Sequence, residues 1–314
     1  MISKEFEQFL NIYDKAGGNK NAFRDKGIAN LLVHKNKVLN VNSIKGVTLK
    51  SKRRKDGIAV NLAVHKGVKV ENPVHFCFGV LPKIGRQEID IDILVEDNAQ
   101  VEIVAHCIFP NAVKVVHKMD ANIKIGDNAR FKYQEIHYHG EFGGIKVIPK
   151  AKVSVGEGSI YDNVFSLLEG KVGFLDFDYE VNCCEKSTAN MLVKTYGKGE
   201  DKIKILEKVN LSGERARSLI KTRIVLKDKA RAEVIGETYG NAPYARGHVD
   251  CIEILNGTEA VAKAIPIVSV KDERAKVTHE AAIGSVDKRQ LETLMARGLE
   301  EEEAIDTIVR GILK

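Results

Sequence analysis

The sequence predicts a mainly β chain whose core is a stacked β-helix, with short helical segments at its two ends. Three observations carry this. Apolar residues alternate with polar ones at period two from about residue 36 to residue 284. A unit made of strand end, acidic turn, alanine and new strand recurs through that block. Helical periodicity is confined to the termini. A large sandwich or barrel whose hairpins share their turn chemistry is the alternative on pattern alone.

The elements follow in chain order. Residues 2–16 predict a helix, because Phe6, Phe9, Leu10 and Tyr13 fall on one helical face and Gly17-Gly18 stops it. A second helical piece is expected around Ala22–Val33, which puts the N-terminal helical segment at 1–35. The run Lys50, Lys52, Arg53, Arg54, Lys55 precedes Asp56-Gly57, a turn dipeptide, and reads as a solvated hairpin tip rather than a phosphate patch. The strand block spans 36–284. Ile89, Ile91, Ile93 and Val95 alternate with Glu88, Asp90 and Asp92, and Ile203, Ile205, Val209 and Leu211 obey the same rule.

The recurrence reads VEDNAQVEI from Val95, IGDNARFKY from Ile125, LKDKARAEV from Leu226 and VKDERAKVT from Val270; VGEGSIYDN from Val155 falls near the next step. Ala99 and Ala129 stand 30 residues apart. One such coil cannot bury its inner face alone, whereas stacked coils share a continuous core. The C-terminal segment 285–314 returns to helix. Asp287 with Gln290 resembles a capping box, Leu291, Leu294 and Met295 form a stripe, and Gly298 is a stop. Glu300–Glu303 then suit a helix N-terminus, and Ile305, Ile308, Val309 and Ile312 form the next stripe.

Composition bounds the function. The 314 residues are 44% hydrophobic and 29% charged, which excludes a disordered chain. No apolar run is long enough to span a membrane, and the N-terminus lacks the apolar core of a signal peptide. The net charge of +6 is spread thinly, so no nucleic-acid surface is expected. Five cysteines without a secretion signal argue for a reducing cytoplasm. There is no CxxC, and vicinal Cys183-Cys184 is not a zinc spacing, although it could carry a persulfide. Strand alternation puts His106 and Cys107 on opposite faces; His137 and His139 share a face and could form a surface metal pair. No P-loop is present, and a chain without tryptophan lacks the stacking aromatics of a sugar-cleaving β-helix groove.

The segment from Val277, VTHEAAIGSVDKRQLETLMARGLEEEEAIDTIVRGILK, closely resembles the C-terminus of the SufB/SufD family of iron–sulfur cluster assembly proteins. The matching motifs are His279-Glu280-Ala281, Asp287 to Leu291, Ala296 to Leu299, and Ala304 to Ile312. GNAPYARGHVDCIEIL, from Gly240, resembles the family's segment before its functional cysteine. The resemblance covers about residues 36–314.

It implies a right-handed parallel β-helix and a non-catalytic cytoplasmic scaffold. The expected partners are a SufC-like ABC ATPase, docked through the C-terminal helices and hydrolysing the ATP, and a second β-helix, either self or a SufB/SufD paralogue. The cargo is a transient iron–sulfur cluster at the β-helix seam. Cys251 matches the family's essential cysteine, and His279 and Glu280 lie where the family keeps functional side chains. On a regular strand His279 and Glu280 point to opposite faces, so His279 is preferred beside Cys251 as metal ligand and Glu280 is left to position or relay protons. The cysteine-rich N-terminal motif of many SufB chains is missing and the chain is short for the family. These departures leave open a purely structural SufD-like platform, while the His-Glu-Ala strand leans towards a SufB-like, self-pairing scaffold.

Overall fold

A computed structural model describes residues 4–313. The alternating block folds into a parallel β-solenoid with two sheets. One sheet contains β1 (Asn30–His34), β2 (Lys37–Asn42), β5 (Val74–Gly79), β7 (Gln100–Phe109), β9 (Arg130–His139), β11 (Ile160–Glu169), β13 (Thr188–Gly197), β15 (Arg217–Lys227), β17 (Arg246–Asn256) and β19 (Lys276–Ser285). The other contains β3 (Val47–Arg53), β4 (Gly57–Val64), β6 (Ile84–Val95), β8 (Lys114–Ile125), β10 (Ile145–Val155), β12 (Gly173–Cys183), β14 (Lys202–Leu211), β16 (Arg231–Gly240) and β18 (Val261–Val270). From β4 onward the chain alternates between sheets, and each strand pairs in parallel with the strand one coil away. This rules out the sandwich and barrel, whose hairpins would pair antiparallel neighbours.

Coil length explains the register. Val101 pairs with Phe131, and Phe131 with Tyr161, so residues one coil apart stack on the same side. Aromatic rings therefore stack through the lumen, both between coils, as Phe131 on Tyr161 at 5.8 Å, and along one strand, as Phe177 on Tyr179 at 4.1 Å. The β6-to-β7 and β8-to-β9 corners each place an asparagine in the left-handed region (Asn98, φ 61; Asn128, φ 52), followed by a fully buried Ala99 or Ala129. Asparagine tolerates that backbone better than most residues, and a small alanine fits the tight inner corner. The LKDKARAEV copy serves the opposite edge: Asp228 (φ 62) and buried Ala230 turn β15 into β16. Both edges have the same steric need, so one sequence signature marks two kinds of corner.

Helix α1 (Lys4–Lys15) lies on the outer face of the first sheet. Phe9, Leu10 and Tyr13 are buried there against Leu32, Cys77 and Ile108. Positions 2 and 3 of the expected helix lie outside the described residues. The second helix expected over Ala22–Val33 is not formed. Lys20–Phe23 make one 3-10 turn capped by Asn19, and Asn30–His34 are strand β1. Asn30, Leu31, Leu32 and Val33 are all buried, with successive side chains serving opposite faces, a demand a helix could not meet. The basic run is the β3–β4 hairpin tip, closed by the Arg54 N–H donating to the Gly57 carbonyl at 2.9 Å.

At the C-terminus, α2 (Lys288–Met295) begins at Asp287, whose side chain accepts from the Gln290 N–H at 2.8 Å. Gly298 (φ 96) turns the chain into α3 (Glu301–Ile312). Helix α3 packs on the same outer face as α1, further along, burying Val309 and Leu313 against Tyr196 and Val225. Helix α2 buries no residue fully.

Candidate functional site at the open end of the solenoid

The coils from β4 to β17 are covered on both sides by neighbours, but the last coil is not. Strand β17 keeps an alternation of buried and half-buried residues, whereas along β19 every residue but Val277 is exposed. Apolar side chains stand in solvent there, among them Ile283 (47% exposed) and Val270 (46%). The inner face of a terminal coil has no further coil to cover it.

The sequence-derived residues meet at this end. Strands β17 and β19 pair in register, with Val249 opposite His279, Asp250 opposite Glu280, and Cys251 opposite Ala281. Paired residues in a parallel sheet share a side. Cys251 and His279 thus lie on the lumen side of adjacent strands in a diagonal relation. Glu280 lies on the outer side, exposed, beside Asp250. Asp250 is claimed by Arg223, whose Nη1 also donates to the Asp250 carbonyl at 3.0 Å, and that guanidinium holds the Asp250 carboxyl below its usual range. His248 Nδ1 contacts Thr278 Oγ1 at 2.9 Å on the outer side.

Cys251 is 1% exposed. Burial pushes its thiol up to about 12, and the neighbouring Glu207 and Glu253 carboxyls add to the rise. In the free chain the sulfur is therefore a thiol, and a metal must displace its proton. Below it in the lumen stand two acids that sequence patterning did not single out. Glu207, fully buried, accepts from Thr222 Oγ1 at 2.8 Å, and Oε1 has no partner. Glu253 is equally buried and neither carboxyl oxygen is hydrogen-bonded. Desolvation raises Glu207 to about 8 and Glu253 to about 7. The signal was available: both acids occupy inward positions of otherwise apolar alternations. The end of the lumen thus joins a soft sulfur donor, proton-holding carboxyls and an accessible imidazole, a set able to receive iron and sulfide and to accept or give protons as they bind.

His137 and His139 are not a surface pair. Both point into the lumen, 2% and 3% exposed, because the inward positions of β9 are the odd-numbered ones from Phe131 to His139. The vicinal cysteines divide between the faces, with Cys183 buried and Cys184 exposed.

Comparison with known proteins agrees with this architecture. The profile of the SUF system FeS cluster assembly, SufBD core domain, matches residues 87–312. An iron–sulfur cluster assembly SufBD family protein of Methanocaldococcus jannaschii is 41% identical over 283 residues, 90% of this chain and 89% of that one. One from Pyrococcus horikoshii is 34% identical over 310 residues, 99% of this chain and 94% of its own. The iron–sulfur cluster assembly protein SufB of Bacillus subtilis is 22% identical over 259 residues, 80% of this chain but 54% of the longer protein. A matched core over most of the chain, on a solenoid whose last coil lies open, leads to one conclusion: the chain belongs to the SufBD family of iron–sulfur cluster assembly proteins.

Proposed function

We propose that this chain is a non-catalytic scaffold on which an iron–sulfur cluster is assembled and passed on, working with a SufC-like ABC ATPase. The observation that carries the reading is the uncovered terminal coil, with Cys251 and His279 on its lumen side. A second solenoid, either a copy of this chain or a SufB/SufD paralogue, covers that coil end to end and shields the exposed apolar residues. Cluster ligation by Cys251 and His279 then occurs at the seam, with Glu280 positioning or relaying protons from the outer side. The ATPase docks on the C-terminal helical region, where α2 leaves its stripe half-covered, and closure of the ATPase pair moves the seam. No helix among the described residues is long and apolar enough to cross a membrane, and we assign the complex to the cytoplasm.

The test is anaerobic reconstitution of the chain, co-expressed with its ATPase, with iron and sulfide. Sulfur-to-iron charge-transfer absorption is expected in the parent and should fall severalfold in Cys251→Ala; equal absorption in both removes Cys251 from the site. Deleting residues 287–314 should abolish co-purification of the ATPase, and retained co-purification places docking elsewhere. The buried, protonated state of Cys251 in the free chain favours a second reading, a SufD-like platform that docks the ATPase without holding iron. That reading predicts no charge-transfer band in the parent while co-purification persists.

A further inference from the structure

Well inside the solenoid, β7, β8 and β9 bring together three side chains of a kind that binds metals. Cys107 and His137 are 30 residues apart and pair directly across β7 and β9. His117 comes from β8 in the opposite sheet and reaches them across the lumen. The Cys107 sulfur and one nitrogen from each histidine all lie within 4.8 Å of one another. All three residues are at most 2% exposed.

We propose that Cys107, His117 and His137 form a resident site for a divalent transition metal, zinc or ferrous iron in type, in the solenoid interior. A separate observation points to a ligand. His117 is fully buried and neither of its ring nitrogens has a hydrogen-bond partner. An orphaned buried polar atom is destabilising, and metal coordination removes one of the two orphans. His139 Nδ1 is likewise buried and unpartnered beside the group.

The surroundings suit an ion. His137 Nε2 meets Glu135 Oε1 at 2.7 Å, and Glu135 Oε2 accepts from Tyr179 at 3.0 Å. This is the carboxylate–histidine arrangement that orients metal-binding imidazoles. His137 Nδ1 contacts His139 Nε2 at 3.1 Å, a neighbour that can yield or join. One sulfur and two imidazoles match zinc or ferrous iron and reject calcium and magnesium, which need oxygen ligands. Tetrahedral ligands at 2.0–2.3 Å from an ion stand about 3.3–3.8 Å apart, so the group must close by about 1 Å, within reach of side-chain rotation. On binding, the Cys107 S–H bond breaks, its proton leaves to solvent, and the sulfur lone pair forms the metal bond without change of oxidation state. Any proton held by the buried Glu135 leaves to solvent in the same step, and thiolate and Glu135 carboxylate together then match the two positive charges, leaving the lumen neutral.

The site is distinct from the open end. β7 and β17 are five strands apart in one sheet, about 24 Å at ~4.8 Å per strand. The inference therefore stands whether or not Cys251 holds iron.

The test uses the full chain expressed in minimal medium supplemented with cobalt, which is spectroscopically visible where zinc is silent, and purified anaerobically without chelator. One cobalt per chain is expected, with thiolate-to-cobalt charge-transfer absorption that disappears in Cys107→Ala and persists in Cys251→Ala. His117→Gln should lower retained cobalt at least tenfold, and Glu135→Gln should weaken binding ~10–100-fold. Metal-free protein, or absorption that follows Cys251 instead of Cys107, overturns the proposal. Should the lumen variants fail to fold, X-ray absorption of the zinc-loaded parent decides: one sulfur with two or three nitrogens at zinc supports the site, and an all-oxygen shell ends it.

Discussion

Replacing Glu207 by glutamine separates the effect of a buried carboxyl's proton from the effect of its shape. Glu207 lies in the lumen with no exposed surface, one hydrogen bond from Thr222, and an unpartnered Oε1. Desolvation raises its pKa from 4.5 to about 8. Between those values the folded chain holds a proton that the unfolded chain has released, so stability falls as pH rises through the interval and levels off above it. The interval is about 3.5 pH units, and at ~1.4 kcal/mol per unit the ceiling is roughly 5 kcal/mol. Glutamine keeps an acceptor for Thr222 and cannot ionise. Its extra N–H donors add a penalty of about 1–3 kcal/mol that does not change with pH. The stability of the variant relative to the parent should therefore rise by roughly 3–5 kcal/mol between about pH 4.5 and about pH 8.5. Urea denaturation followed by circular dichroism at several pH values measures this, and the protonated-carboxyl infrared band of Glu207, isolated as the parent-minus-variant difference because Glu253 also holds a proton at pH 6, reports the proton directly. Stability curves that run parallel for parent and variant, or no such band at pH 6, would refute the reasoning.

Two further outcomes test packing and backbone. Phe165→Ala empties a fully buried position between the His137 and Phe177 rings and should cost about 3–5 kcal/mol, read as a lowered urea midpoint. Lys35→Gly relieves a lysine held at φ 54 in the β1–β2 turn while keeping its N–H bond to the Gly79 carbonyl, and should raise stability by up to ~1 kcal/mol in the same assay; a loss would mean the side chain matters more than the backbone.

The period of two and the alanine-marked corners determined the strand block, the division of its residues between two faces, and the stacking of coils, because each depends only on local alternation and on one repeated turn. The same alternation put His279 and Glu280 on opposite sides of their strand, and the register of β17 with β19 then set His279 on the side of Cys251. It also carried the hidden signal for Cys107 and His137, since residues 30 apart stack one coil above the other. Local pattern could not determine which face of a strand closes over a lumen, so His137 and His139 read as a surface pair until the second sheet covered them. Nor could it bring His117 to Cys107, because that meeting crosses between sheets and depends on coil width. The buried acids Glu207 and Glu253 have altered proton affinity only because neighbouring coils exclude water from both sides. Sequence fixes direction along a strand; desolvation and contact across a lumen arise only when all the coils are in place.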